Sequence, residues 1–346
     1  MCNIAGYVGT QQAAPILLEM IRKQEGYAGG FYTGIATLHE GKIHYAKLTG
    51  DTDRLISHTN AATLPGTIGI IHSRSNAGGG DEWAHPFLGS CEGTAKIAYV
   101  ANGAAGCFQQ RSAEYTVVAQ RLLENGYAFS SRVNIPSERY HALPDGTVAH
   151  VSDVMCQLIL RNMREGMDEA YAMEKTFCEI PAEVVGLMLS VSSPKEIAYA
   201  RINMPMFTAS CPHGRYLSSS PTALPEDAQT AMLLPACSSG VITAGEYRSK
   251  DFSEPPAVVA PLTESVRTDV ARTVEAMLSD GGEYPVSLLC RAAKACFEPA
   301  DCLPRYAAVY EVLYRLQKQG RLRTKIRRVP GAFEGLTAPK AYFSIS

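Results

Sequence analysis

The chain has 346 residues, 46% of them hydrophobic, and a formal net charge of −2. That is enough apolar material for one large or two modest cores, and the near-balanced charge offers no global attraction for nucleic acid or an anionic membrane surface. No apolar run approaches the roughly 18 to 20 residues that span a bilayer, and no basic-then-apolar leader opens the chain, so a cytoplasmic protein is expected.

Residues 2–9 (CNIAGYVG) read as a strand. In residues 13–24 (AAPILLEMIRKQ) the apolar positions Ile16, Leu17, Met20 and Ile21 have helical spacing. Residues 33–48 predict a hairpin turning at Glu40 and Gly41. Two further β runs, 67–74 (TIGIIHSR) and 95–103 (AKIAYVANG), end on polar residues, as in a sheet that carries a site at its rim. Between them the glycine-rich stretch 75–83 (SNAGGGDEW) predicts a mobile loop. Helical spacing returns over 151–166 and 167–177, and strands are expected over 196–204 and 214–220. The mixture suits α+β layers, with no βαβ series and no dinucleotide fingerprint.

Three prolines interrupt residues 251–265, which read as a linker after a domain spanning 2–250. Beyond it, helical stretches at 267–280 and 305–320 precede two short strands around a Pro/Gly turn, so residues 266–346 resemble a winged-helix module by pattern. From Arg305 to Ser346, nine Lys/Arg face Glu311 and Glu334, a local charge of +7. That segment would lie along nucleic-acid phosphates if the module binds DNA; otherwise it is a solvated helix end or a subunit interface. The ten cysteines are scattered and form no CxxC pair, which points to reduced thiols. Neither Cys290, Cys296 and Cys302 nor the Cys211–His213 triplet has a convincing ligand pattern, so no metal or cofactor is expected.

Cys2 is the residue with most chemical promise. Removal of Met1 would place its thiol beside a free α-amine, joining nucleophile and base in one residue, since the amine titrates near ~7.7 to 8.0. The alternative is a cysteine that simply opens a buried strand. With Cys2, the segments HSRSNAGGGDEWAHPF (72–87), IAYVANGAAGCF (97–108) and HVSDVMCQLI (150–159) resemble the class II glutamine amidotransferases, in a register closest to the glucosamine-6-phosphate synthase type. The resemblance covers roughly residues 2–250. It implies a four-layer αββα N-terminal-nucleophile hydrolase sandwich that hydrolyses L-glutamine to glutamate and ammonia.

Residue by residue, the resemblance assigns the oxyanion hole to Asn102 and Gly103, whose alternative is an ordinary Asn-Gly turn. It assigns the substrate α-carboxylate to Arg74, whose planar guanidinium binds two oxygens at once. Asp153 would pair with the substrate ammonium, or else serve the N-terminus of a helix beside Ser152. His85, in AHPF, would shape the pocket wall. The chain departs from the family over 75–80, where a tryptophan and a threonine-histidine-glycine are usual, and over 27–32, where an arginine-glycine-tyrosine-aspartate is usual. No sugar isomerase or phosphoribosyltransferase follows, so the implied partner is a separate ammonia-accepting synthase subunit. The alternatives are a glutamine-sensing regulatory or DNA-binding protein, and a scaffold that keeps Cys2 without turnover.

Overall fold

The computed structural model describes residues 2–134, 137 and 140–346. In chain order the first half contains β1 (Asn3–Gly9), α1 (Ala13–Gln24), β2 (Tyr32–His39), β3 (Lys42–Thr49), α2 (Thr52–His58), β4 (Ile68–Arg74), β5 (Phe87–Cys91), β6 (Thr94–Ala104) and α3 (Glu114–Glu124). Next come α4 (Val151–Arg164), α5 (Glu169–Glu179), β7 (Glu183–Ser190), β8 (Ile197–Arg201), β9 (Phe207–Cys211), β10 (Gly214–Ser218), β11 (Met232–Leu233), β12 (Ser238–Ile242) and β13 (Tyr247–Asp251). The chain ends in α6 (Glu264–Leu278), α7 (Val286–Ala293), α8 (Arg305–Lys318), β14 (Leu322–Pro330) and β15 (Thr337–Ile345).

Two antiparallel sheets face each other. One has the order β11-β9-β10-β1-β4-β2-β3 and the other β13-β12-β8-β7-β6-β5. Strand alternation divides the apolar residues between the faces. Ile4, Val8, Ile68 and Ile70 of the first sheet meet Ala98, Val100, Val185 and Leu187 of the second. On the far side of the first sheet, Ala5, Tyr7 and Ile71 pack under Leu17, Leu18 and Ile21 of α1. On the far side of the second, Ile97, Tyr99 and Met188 pack under Val154, Leu158 and Phe177 of α4 and α5. The result is the αββα layering that the resemblance implied. Helix α1 tolerates Pro15 because it lies in the first turn, where backbone N–H groups have no helical partner, and Arg22 and Lys23 suit its C-terminal dipole.

The C-terminal elements have their own core, built from Val270, Val274, Leu289, Val309, Leu313 and Phe343. Three helices and the β14–β15 hairpin surround it, and Tyr284, between α6 and α7, bridges to Phe343 on β15. This core is continuous with the first domain through Tyr27 and Phe207. Tyr27 meets Phe343 edge-on at 4.9 Å and its hydroxyl bonds Thr222 at 2.9 Å. The backbone closes in as well: Ala341 N–H donates to Gly26 C=O at 2.9 Å. Gly26 has φ +90°, and a Cβ there would lie 2.8 Å from the Ala341 nitrogen. The stretch 27–32, where the chain departs from its family pattern, is therefore the seat of the C-terminal module.

Two expectations change. The positive charge of 305–346 is met by acids outside that window: Arg315 and Arg321 pair with Glu275, Lys325 and Arg327 with Glu283, and Arg328 with Asp51 at 2.7 Å. Five of the nine cations thus tie the module to itself and to the first domain, which reduces the charge left for a phosphate-binding face. Not all cysteines are thiols either: Cys107 and Cys302, 195 residues apart, are joined by a disulfide, and eight others are free. Sequence spacing gives no signal for a pair so distant. Between Asp251, the end of β13, and Glu264, the start of α6, the proline-rich stretch carries no helix or strand, but Val258 N–H donates to Asp301 at 2.9 Å and Ala260 N–H to Cys302 C=O at 2.9 Å, which pins it. No described helix is long and apolar enough to cross a membrane.

Phe343→Ala removes the ring that joins the two cores and should cost roughly 3 to 5 kcal/mol, read as a lower midpoint in urea unfolding.

Candidate active site

Cys2 stands at the entry to β1, and the pairing of β1 with β4 sets its neighbours. Asn3 lies opposite Ser73 and Ile4 opposite His72. Alternation then puts Cys2 and Ile4 of β1, with His72 and Arg74 of β4, on the face that looks toward the second sheet. From that sheet, β6 brings Asn102 across. The Cys2 backbone nitrogen donates to Asn102 Oδ1 at 2.7 Å, and Asn102 Nδ2 is buried with no hydrogen-bond partner. An amide pinned by its oxygen with an idle N–H₂ beside a thiol is poised to bind an oxygen that arrives with substrate.

A cavity of about 410 Å³ opens at this point, lined among others by Cys2, Arg74, Ser75, His85, Gly103 and His150. Arg74 is 2% exposed. Its guanidinium is held between the rings of Tyr32, 4.5 Å away, and Trp83, 5.6 Å away, while one amino group donates to Gly78 C=O at 3.0 Å. Its other amino group, Nη2, is buried and unpartnered. The loop expected to be mobile is built around this residue. Trp83 donates to Ser131 C=O at 2.7 Å, Tyr32 to Gly79 C=O at 3.0 Å, and Thr49 N–H to Asp81 at 2.7 Å. Gly79, at φ +76°, passes so close over Trp83 that a Cβ would lie 2.2 Å from the indole. The displaced tryptophan of the sequence thus lies beneath the arginine as its platform.

His85 is buried with neither ring nitrogen hydrogen-bonded. It stacks on His72 at 3.9 Å and meets His150 at 5.2 Å. Burial first, then the charges of His72, His150, Arg74 and Lys47, drives its pKa well below the usual imidazole range, so it is neutral. His150 is the N-cap of α4: its Nδ1 accepts from Ser152 N–H and its Nε2 bonds Tyr140. For the Cys2 thiol, burial acts to raise the pKa, but His72, the charge of the chain terminus and the Ser75 backbone together outweigh it, and the value stands lowered to about 6.

Asp153 does not line the cavity. Its carboxylate accepts from Ser131 N–H at 2.8 Å, Ser130 Oγ at 3.1 Å and Gln157 Nε2 at 3.4 Å, and burial raises its pKa. It lies in the first turn of α4, the helix-terminus alternative that its sequence context left open. The structure therefore gathers Cys2, Arg74, His85, Asn102 and Gly103, and leaves Asp153 in the wall behind. It adds His72, which the sequence reading passes over. Its signal was its place two residues before Arg74 in a strand, hence on the same face.

No family model matches the chain. It is 28% identical over 254 residues to glutamine–fructose-6-phosphate aminotransferase of Pyrococcus horikoshii, covering 73% of this chain and 38% of that protein. The protein of the same name from Bacteroides thetaiotaomicron is 25% identical over 309 residues, 88% of this chain and 44% of that one. Glutamine phosphoribosylpyrophosphate amidotransferase from B. subtilis shares the fold, with a TM-score of 0.59 at 15% identity over 85% of this chain and 64% of that one. These likenesses support a class II glutamine amidotransferase domain in this chain. It spans less than half the length of these curated aminotransferase relatives.

Beneath the candidate site, Glu25 accepts from Ser73 Oγ at 2.8 Å, Thr52 N–H at 3.0 Å and Thr33 Oγ at 3.1 Å. Burial pushes its carboxyl up to about 7, against the pull of the Thr52 and Ser73 bonds. An acid raised in the folded state favours folding while protonated, so that advantage holds at low pH. It is lost as pH rises from about 4.5 to about 7. Glu25→Gln should abolish a loss of about 3 kcal/mol across that window, measured by urea unfolding at pH 4.5 and pH 8.

Proposed function

We propose that the chain is a glutaminase subunit. It hydrolyses L-glutamine to glutamate and ammonia through a thioester on Cys2, acts in the cytoplasm, and passes the ammonia to a separate synthase. The observation that carries this reading is the set of buried polar atoms left idle around one thiol: Arg74 Nη2, Asn102 Nδ2 and both nitrogens of His85. Buried polar groups are nearly always satisfied, so idle ones converging on a cavity are kept for a ligand with complementary polar atoms. Glutamine offers a carboxylate for Arg74 and an amide oxygen for Asn102.

In this mechanism the Cys2 sulfur attacks the side-chain amide carbon. The oxyanion that forms takes a hydrogen bond from Asn102 Nδ2, with the Gly103 backbone N–H as second donor, an arrangement worth about 3 kcal/mol per donor. The C–N bond breaks, ammonia leaves, and water hydrolyses the thioester. With Met1 removed, the nitrogen that donates to Asn102 is an α-amine, available to the protons of these later steps. The winged-helix-like module, five of whose nine cations are engaged in ion pairs, is read as a docking element toward the synthase and not as a nucleic-acid reader. A second reading, glutamine binding without turnover, draws on Asp153, whose engaged carboxylate leaves the substrate ammonium without that partner.

Ammonia release from L-glutamine decides between these. Cys2→Ala should abolish it. Asn102→Ala should lower kcat by about 10²-fold to 10³-fold, whereas Arg74→Lys should raise KM by about tenfold with kcat little changed. A chain shown by mass to begin at Cys2 that binds glutamine and releases no ammonia would leave the second reading standing.

A further inference from the structure

At the other end of β1 from Cys2, the β9–β10 hairpin turns through Pro212 and His213, with Cys211 paired to Gly214. By spacing alone the Cys211–His213 pair is a weak ligand pattern, but the fold brings further groups to it. Cys211, Tyr216 of β10 and Tyr7 of β1 share the sheet face that packs under α1. Asp227 arrives on a segment tied to β9, where Gln229 N–H donates to Ser210 C=O and Ser210 Oγ to Gln229 Oε1, both at 2.8 Å. One donor atom from each of Cys211, His213 and Asp227 lies within 4.8 Å of the others. The thiol is buried, while the Asp227 side chain is 40% exposed and gives the cluster a path from solvent.

The hydrogen bonds decide which nitrogen of His213 carries a lone pair. The Tyr7 hydroxyl donates to the His213 carbonyl at 3.0 Å, so its one hydrogen is engaged there. Its oxygen then faces His213 Nδ1, 2.8 Å away, as an acceptor, and Nδ1 carries the ring hydrogen. Nε2 of the neutral ring is left with its lone pair against Asp227 Oδ2 at 3.0 Å. The Tyr216 hydroxyl, 3.2 Å from Nε2 and 3.0 Å from Asp227 Oδ1, has a single hydrogen for two acceptors. Two lone-pair donors this close favour a cation that both can hold. The backbone beneath them is fixed: a Cβ on Gly9 would lie 2.2 Å from the His213 carbonyl oxygen and 2.1 Å from the Tyr7 hydroxyl. Thr10 N–H donates to the same carbonyl at 2.9 Å.

We propose that Cys211 Sγ, His213 Nε2 and the Asp227 carboxylate form a binding site for a zinc ion, with water in the fourth position. A soft thiolate with an imidazole and a carboxylate is a donor set that suits zinc. With bonds of about 2.0 to 2.3 Å, the donors of a tetrahedral zinc stand about 3.3 to 3.6 Å apart, so side-chain shifts of ~1 Å close the set. On binding, the Cys211 S–H proton goes to solvent and the sulfur's electron pair to the metal. Nε2 gives its lone pair, and nothing is oxidised or reduced. The thiolate and the carboxylate together cancel the two positive charges of the ion, so the half-buried site carries no net charge. The Nδ1–H bond to Tyr7 is the outer contact that orients a metal-bound imidazole. The ion locks the hairpin tip to the segment that carries Asp227, and it does so independently of the glutaminase reading of Cys2.

The test uses cobalt(II) as a coloured stand-in for zinc. The full chain is stripped with a chelator, titrated with cobalt(II), and then with zinc. The native chain should develop the near-ultraviolet absorption of a thiolate-to-cobalt charge transfer, and zinc should abolish it. Cys211→Ser should lose that absorption. Asp227→Asn should keep it and weaken cobalt binding by roughly tenfold or more, the range that loss of even an outer partner costs a metal-bound imidazole. Absence of the absorption from the native chain overturns the proposal, leaving an imidazolium–carboxylate ion pair beside a plain thiol. Its persistence in Cys211→Ser overturns it as well, by placing the metal on another thiol. If Cys211→Ser does not fold, Asp227→Asn, an exchange of equal size at a partly exposed position, decides alone: weakened binding supports the site, and unchanged binding overturns it.

Discussion

The side chain of Asn102 ties the two halves of the sandwich together at the point where the chemistry happens. Its oxygen accepts from the nitrogen of Cys2, which leads into β1 of one sheet, while its backbone belongs to β6, the strand next to the edge of the other. A hydrogen bond of this kind contributes only about 0.5 to 1.5 kcal/mol, so its importance is geometric. It fixes which way the amide faces, and so leaves a donor, not an acceptor, beside the thiol. The rest of the site follows from sheet register. The strand that pairs with β1 carries His72 and Arg74 on the same face, and their partners across the gap are a carbonyl, an indole and a stacked imidazole.

That arrangement leaves few degrees of freedom to the loops. The glycine-rich segment after Arg74 has the composition of a flexible cover, yet in the folded chain its carbonyls and carboxylates are engaged by Arg74, Tyr32 and Thr49. Trp83, displaced in sequence from where the family has its tryptophan, returns in space to support the guanidinium. The departures over 75–83 thus alter how the arginine is held more than whether it is held.

The second departure, over 27–32, has a different outcome. Tyr27 leaves the first domain to pack against Phe343 and Tyr310, and Gly26 admits the β15 backbone at a distance that any side chain would block. Arg328 adds an ion pair to Asp51. The C-terminal module is thus seated on the segment that follows α1, one strand away from the Arg74 end of β4.

Much of this was legible in the sequence. Period and turn chemistry placed β1, α1, the β2–β3 hairpin, β4, β6, α4, α5 and the last hairpin, because each shows one face to a core and ends on glycine, proline or polar residues. Strand β7 escaped notice although Glu183–Ser190 is almost wholly apolar: buried on both faces at the centre of its sheet, it has no alternation to read. The roles proposed for Cys2, Arg74, Asn102 and Gly103 were suggested by short motifs at strand ends that resemble a known family. What only the tertiary structure decided is which atoms meet. The use of Asp153 by Ser130 and Ser131, the pairing of five C-terminal cations with Glu275, Glu283 and Asp51, and the bond from the Cys2 nitrogen to Asn102 all depend on partners far apart in the chain. Sequence determines a strand's faces through its own alternation, but the residue across a gap is set by how two independently formed sheets stack, and no local pattern records that.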